Sequence, residues 1–156
     1  EMAVAIFKTF VDNKGRCRVM ASDRYETGLA IRKEVLGDEY VDAAIAKADD
    51  FNRDFQDMVT EYCWGGSWGR GVLSKQQRSI LNLGMLAALN RRHEFKLHFL
   101  GALTNGVGID EIREVLIQIA IYCGIPAGVE AFRIAREVFQ EEGIDVSRMD
   151  SEGAGE

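Results

Sequence analysis

The chain has 156 residues, of which 47% are apolar and 28% charged, and it contains one proline. About 100–200 residues is a typical length for one domain, and a chain of this size buries a sizeable core without needing disulfides or metals. The net charge of −6 disfavours nucleic acid and anionic membrane surfaces as main partners.

The cysteines and the apolar runs indicate the compartment. Cys17, Cys63 and Cys123 form no CxxC pair, and a sparse, odd set of this kind is typical of a reduced cytosol. The longest apolar runs, such as residues 85–89, are five residues long, against the ~20 that cross a bilayer. The beginning of the sequence has no pattern of a secretory signal. We therefore expect a cytoplasmic protein without a membrane or nucleic-acid partner.

Residues 1–22 differ from the rest of the chain. The stretches 6–11 and 16–20 flank a Gly15-containing segment, a pattern typical of a small hairpin. An isolated two-stranded hairpin is marginal in water, so a flexible tail is an equally good interpretation.

From residue 24 the apolar positions follow helical spacing. The first segment ends at Gly37, a natural C-terminal stop. Residues 41–48 and 51–62 continue at helical intervals, which predicts two amphipathic helices whose apolar stripes face a core. Gly65, Gly66, Gly69 and Gly71 then predict a loop that carries Trp64, Trp68 and Arg70.

The second half of the chain also has a helical pattern. Ser74 and Gln77 predict a capping box, and residues 80–89 are apolar nearly all round, which favours a helix covered on most sides, in part by another subunit. Further helices are expected over 94–103, after an N-cap at Gly108, and from about 127 to 142. The sequence therefore predicts an all-α fold, with one helical domain over 23–146 and a disordered tail over 147–156.

His98 is the most informative polar side chain, because histidine exchanges protons near neutral pH. It lies on the apolar face of its predicted helix beside Phe95 and Phe99. Two interpretations stay open: a catalytic imidazole, or a hydrogen-bonded core histidine.

Several arginines lie near the ends of the segments that flank this helix. Arginine binds a carboxylate through two parallel hydrogen bonds, so the cluster of Arg70, Arg78, Arg91 and Arg92 is a candidate site for a small organic acid. The alternative is a solvated rim or ion pairs between subunits. Trp64 and Trp68 are candidates to cover an apolar pocket, or are ordinary core residues.

The sequence resembles the carboxymuconolactone decarboxylase family over about residues 23–146. The likeness is carried by RYETGL (24–29), EVLG (34–37), DFNRDFQ (50–56), WG (64–65), Trp68, Arg70, RS (78–79), His98, NGV (105–107), DEI (110–112), EVL (114–116) and IYCGIPA (121–127).

The resemblance implies an all-helical bundle of the alkylhydroperoxidase D type, assembled as a homo-oligomer, a hexamer or a trimer, with sites near subunit contacts. Peroxidase-like relatives carry a CxxCxxxH motif whose histidine matches His98. Arg91 and Glu94 stand at the two cysteine positions, so disulfide redox chemistry is not expected.

For the decarboxylase branch, the resemblance implies a reaction without cofactor or metal on a small carboxylated lactone. Loss of CO2 gives a dienolate that must be protonated on carbon. His98 is then the general acid or the donor to the lactone carbonyl. Arg70 and Arg78, with Arg91 as a further candidate, would hold carboxylates, and Trp64 and Trp68 would exclude water.

Three positions depart from the branch. Gly66 replaces a common glutamate, and Val129 and Arg133 replace an asparagine and a histidine. These changes leave two alternatives open: a tailoring enzyme of the same family with a different substrate, for proton transfer, isomerisation or lactone cleavage, and a non-catalytic oligomeric binding protein.

Overall fold

A computed structural model of the chain describes residues 9–11, 17–19 and 22–147. Two short strands, β1 (Thr9–Val11) and β2 (Cys17–Val19), pair antiparallel with Phe10 opposite Arg18. The turn expected between them lies outside the described residues, as does the tail from residue 148 onward.

Seven α-helices follow within residues 22–147, which confirms the all-α fold class. They are α1 (Asp23–Leu36), α2 (Asp38–Ala46), α3 (Arg53–Met58), α4 (Lys75–Ala88), α5 (Arg92–Thr104), α6 (Ile109–Tyr122) and α7 (Ile125–Glu141). A π-helix, Val59–Trp68, directly continues α3. The chain divides into two compact units, one ending at Gly71 and the other beginning at Val72.

The glycine-rich stretch is helical up to Trp68, so the predicted loop around the two tryptophans is wrong. Gly65 of this stretch and Gly28 of α1 instead let the two helix backbones approach each other. A Cβ on Gly28 of α1 would lie 2.1 Å from the Thr60 carbonyl oxygen, and one on Gly65 would lie 2.1 Å from the Arg24 carbonyl oxygen. Only a residue without a side chain fits such a contact.

This close approach decides which face of the first unit is buried. The π-helix turns Thr60, Trp64 and Trp68 inward against α1, where the two tryptophans pack with Val35. The prediction that the apolar stripe of residues 51–62 faces a core is therefore wrong for its large side chains. These are exposed: Phe51, Phe55, Met58 and Tyr62.

A buried arginine crosses the same unit. Arg32 of α1 is only 5% exposed. Its Nη1 donates to Thr60 Oγ1 at 3.1 Å and its Nη2 donates to Gln56 Oε1 at 3.0 Å. These neutral acceptors hold the guanidinium between α1, α3 and the π-helix.

The second unit has a larger apolar core shared by α4, α5, α6 and α7. Its fully or nearly fully buried members include Leu83, Phe95, Phe99, Ala102, Ile112, Leu116, Ile119, Ile134 and Val138. The predicted caps are confirmed: Ser74 and Gln77 form the capping box of α4, and Gly108 is the N-cap of α6.

The sequence predicted that α4 is covered on most sides, and within this chain it is covered on one side only. Leu83 is fully buried, whereas the outer face of the same helix exposes Leu81, Met85 and Leu89 in this chain. Along the part of the chain that the structure describes, no helix combines the length and the apolar composition needed to span a bilayer.

Candidate active site

His98 lies on α5 at the edge of the second core. Its neighbours Phe95 and Phe99 are buried, while the imidazole is half-buried. The His98 Nδ1 atom lies 3.5 Å from the Asn82 side-chain nitrogen on α4, which is the outer limit of a hydrogen bond. This position is neither fully sealed nor fully solvated.

Burial lowers the pKa of His98, and the nearby Glu94 carboxylate opposes that change only in part. A lowered pKa favours the neutral imidazole near pH 7, because the low-dielectric surroundings disfavour the charged form. A neutral imidazole presents one N–H donor and one nitrogen acceptor. The ring is therefore suited to donating a hydrogen bond to a developing oxyanion.

Two further polar side chains of α4 lie within four positions of Asn82. Arg78 precedes Asn82 by four residues, so both lie on the same side of α4, and Arg78 is half-buried. Next to it, the buried Ser79 hydroxyl accepts a hydrogen bond of 2.9 Å from the Asn105 side-chain nitrogen at the end of α5. The Ser79–Asn105 bond and the Asn82–His98 contact thus both link α4 to α5 and its C-terminal end.

Sequence reasoning did not assign Asn82 to the site. The available indication was its position, since it is the one polar residue within 80–89. A lone amide in an apolar helix needs a partner, and His98 is the partner that the structure supplies.

Arg91 lies elsewhere in the second unit, directly before α5. It lines a cleft of about 310 Å³ together with Arg92, Phe95 and Glu130. His98, Asn82 and Arg78 are not among the residues that line this cleft. The structure therefore places Arg91 at a separate concavity, whereas Arg78 shares a side of α4 with Asn82, the neighbour of His98.

The other three predicted site residues belong to the first unit. Trp64 and Trp68 are buried there, with ring centroids 4.9 Å apart and ring planes inclined by 31°. Arg70 is exposed just after the π-helix. Within this unit the two tryptophans are core residues.

The three departures from the family pattern have different surroundings. Gly66 has room for a side chain, since a Cβ there would meet its nearest neighbour, the Glu61 carbonyl oxygen, at 3.6 Å. Val129 is 65% exposed on α7. Arg133 forms ion pairs with Glu130 and Glu137 on the same helix, so its charge is compensated locally.

Comparison with known proteins identifies the family. Residues 53–137 match the carboxymuconolactone decarboxylase family. The chain is 36% identical over 129 residues to a 4-carboxymuconolactone decarboxylase of Acinetobacter baylyi, which covers 83% of this chain and 96% of that relative. It is 39% identical over 117 residues to a nitrosuccinic acid decarboxylase of Metarhizium robertsii, covering 75% of this chain and 82% of the relative.

A shorter match, 45% identical over 42 residues, links the chain to a 4-carboxymuconolactone decarboxylase of Pseudomonas putida and covers 27% of this chain and 88% of that relative. These similarities indicate a carboxy-lyase, which confirms the predicted class of enzyme. The chain belongs to the carboxymuconolactone decarboxylase family.

Proposed function

We propose that the enzyme decarboxylates a small carboxylated lactone of the 4-carboxymuconolactone type without a cofactor, with His98 at the reacting centre. The observation that carries this proposal is the half-buried imidazole in contact with Asn82, with Arg78 on the same side of α4. The similarity to the Acinetobacter baylyi enzyme supports the choice of substrate.

The chemistry defines what the protein must supply. The bond from the ring carbon to its carboxylate breaks and CO2 leaves. The electron pair moves through the C=C bond to the lactone carbonyl oxygen, and the resulting dienolate takes one proton on carbon. The site therefore needs a donor at the carbonyl oxygen, a cation for the remaining carboxylate, and a proton source.

His98 meets the first requirement in its neutral form. If the Asn82 amide nitrogen donates to Nδ1, the proton of the ring resides on Nε2, and that N–H is the group that points away from Asn82. Negative charge on the dienolate oxygen then strengthens this hydrogen bond and raises the affinity of the ring for a second proton. The imidazolium formed when the ring takes up one proton from water delivers one proton to carbon after CO2 has left, and the ring returns to its neutral form.

Arg78 is the arginine that we propose for the remaining carboxylate, because it is half-buried and shares a side of α4 with Asn82. Carboxylate binding by Arg70, and exclusion of water by Trp64 and Trp68, stay predictions from the family resemblance. Both tryptophans lie in the π-helix. Because π-helical turns are frequent at functional sites, this position supports a role of the segment in the site.

Turnover of 4-carboxymuconolactone tests the proposal directly. We expect CO2 release and formation of the enol-lactone with the purified chain, and a loss of about 10²- to 10⁴-fold in kcat for His98→Gln. His93→Gln is the matched control, because His93 is exposed, and it should retain full turnover. Full activity of His98→Gln, with a lowered stability, would support the core-histidine interpretation instead.

A second candidate substrate is nitrosuccinate. The similarity to the Metarhizium robertsii nitrosuccinic acid decarboxylase favours it, and the departures at Gly66, Val129 and Arg133 favour a substrate other than the usual lactone. Loss of CO2 beside a nitro group leaves a carbanion whose charge resides on the nitro oxygens. The requirements are the same: a donor to oxygen, a cation for the second carboxylate, and a proton for carbon. Parallel assays with both acids decide between them, and no turnover of either would favour the non-catalytic alternative.

We also propose that the chain assembles with copies of itself in the cytoplasm. The exposed side chains of Leu81, Met85 and Leu89 support assembly, because exposed apolar patches mark interaction surfaces. The free thiols of Cys63 and Cys123 support a reduced compartment. Light scattering after size exclusion should give a multimer for the wild type and a smaller species for Met85→Glu.

A further inference from the structure

The cleft at the start of α5 lies entirely within the second unit. Most of its lining is apolar and includes Leu86, Ala87, Phe95, Cys123, Ala127 and Ile134. Its mouth carries the guanidinium groups of Arg91 and Arg92 and the carboxylate of Glu130. A volume of about 310 Å³ is near the lower end of the range for small-molecule sites.

The charges at the mouth do not balance. Glu130 accepts hydrogen bonds from Arg133, at 2.6 Å and 3.0 Å, and it also pairs with Arg92. Its Oε1 atom thus contacts both guanidinium groups, and its Oε2 atom accepts from Arg133. Within residues 22–147, Arg91 has no carboxylate partner, so the mouth keeps a surplus positive charge.

The backbone holds Arg91 in place. Asn90 adopts a left-handed conformation with φ of 53°, which asparagine tolerates better than most residues. The Arg91 N–H donates to the Leu86 carbonyl at 2.9 Å, and the Phe95 N–H donates to the Arg91 carbonyl at 2.8 Å. The residue is therefore fixed between the end of α4 and the beginning of α5.

We propose that this cleft binds a small apolar monocarboxylate, of the size and shape of an aromatic acid, as a site separate from His98. The carboxylate pairs with the Arg91 guanidinium, and the apolar body lies against Phe95 and Ala127. Such a ligand places its charge at the surplus cation and its hydrocarbon on the apolar wall. This binding does not depend on the proposed decarboxylation.

Benzoate is the probe, with benzamide as its neutral counterpart of the same shape. Calorimetric titration of the purified chain should detect benzoate binding below about 10 mM, and benzamide should bind at least about tenfold more weakly, because a charge-assisted pair is lost. Arg91→Gln should weaken benzoate by a similar factor. The control Arg113→Gln, an exposed arginine of α6, should change the affinity less than about twofold.

Cys123 gives a second readout, because it lines the cleft and is a free, partly buried thiol. Benzoate should slow alkylation of Cys123, whereas alkylation of the exposed Cys63 in the same sample should be unchanged. Ala127→Leu, which places extra carbons in the cleft, should weaken benzoate binding without removing Arg91.

The outcomes separate this site from the catalytic one. His98→Gln should bind benzoate with wild-type affinity even if it has lost turnover. The proposal is overturned if no benzoate binds, if Arg91→Gln binds as well as the wild type, or if His98→Gln loses binding. Failure of both decarboxylation assays would leave these binding results unaffected.

Discussion

The two units of the chain pack their helices in different ways. In the first, α1 approaches the π-helix so closely that Gly28 and Gly65 leave no room for a Cβ, and the large buried apolar side chains are few. In the second, four helices are held apart by large apolar residues centred on Phe99. The first unit therefore depends on the absence of side-chain atoms, and the second on their presence.

The largest expected effect comes from removing bulk in the second unit. Phe99 is fully buried and its ring contacts Phe139 edge-on, with 5.4 Å between centroids. Phe99→Ala should lower the free energy of unfolding by about 4 kcal/mol, because it leaves a cavity in a packed core. Chemical denaturation measures this value. Phe51→Ala is the control, since Phe51 is 97% exposed. A comparable decrease in the free energy of unfolding for Phe51→Ala would contradict the exposed position of this side chain.

Adding bulk should damage the first unit. Gly65→Ala places a methyl group against the Arg24 backbone and should cost about 2–3 kcal/mol. Near-ultraviolet circular dichroism of the Trp64–Trp68 pair reports the disruption. Gly66→Ala has only an ordinary contact at 3.6 Å and should be neutral or slightly stabilising. Equal losses at both positions would refute the close-packing explanation.

A smaller effect concerns His98 and pH. In the unfolded chain a histidine takes up its proton near the reference pKa of 6.5, whereas burial lowers the pKa of His98 in the folded chain. The folded state thus binds fewer protons, and the contribution of His98 to stability is lost as pH falls below about 6.5. His98→Gln should therefore lose less stability than the wild type between about pH 7 and pH 5. Parallel slopes in thermal melts would show that burial does not lower this pKa.

The smallest effect is expected at the surface of the second unit. Lys96 of α5 pairs with Glu141 of α7 at 2.7 Å, with both side chains partly exposed. Lys96→Gln should cost no more than about 0.5 kcal/mol, since exposed ion pairs contribute little. The difference from the wild type should vanish at about 1 M salt. A loss above about 1 kcal/mol would mean that α5 and α7 rely on this pair.

The helices of the second unit were predictable because their ends carry local chemistry. Ser74 with Gln77, Gly108 with Glu111, and Gly143 each satisfy or end a helix through contacts within a few residues. The apolar positions between these ends then follow one period. Helix boundaries of this kind can be predicted from short stretches of sequence.

The first unit was harder to predict because its buried face depends on contacts far apart in sequence. Gly28 and Gly65 meet only after folding, and by composition alone the second of them belongs to a loop. Once the backbones approach, Thr60 and the tryptophans occupy the interior and Phe55 is left outside. Apolar periodicity could not reveal this exchange.

The candidate site could be predicted only in part, because its contacts also join residues that are far apart in sequence. The chemistry of imidazole and guanidinium groups, with the family resemblance, indicated His98 and Arg78. The contact of Asn82 with His98 joins two helices across 16 positions, so no local pattern pointed to it. The cleft around Arg91 likewise combines α4, α5 and α7 and exists only in the folded unit.

The π-helix has a consequence for changes in chain length. A π-helical turn holds about one residue more than an α-helical turn, as the 2.9 Å bond from the Gly69 N–H to the Trp64 carbonyl illustrates. Deleting one residue within Val59–Trp68 would remove that extra residue, so the segment could return to α-helical bonding while the residues after it keep nearly the same direction. Adding a residue has no such solution, because the turn is already widened. A segment with the composition of a flexible hinge therefore owes its fit against Val35 to one added residue.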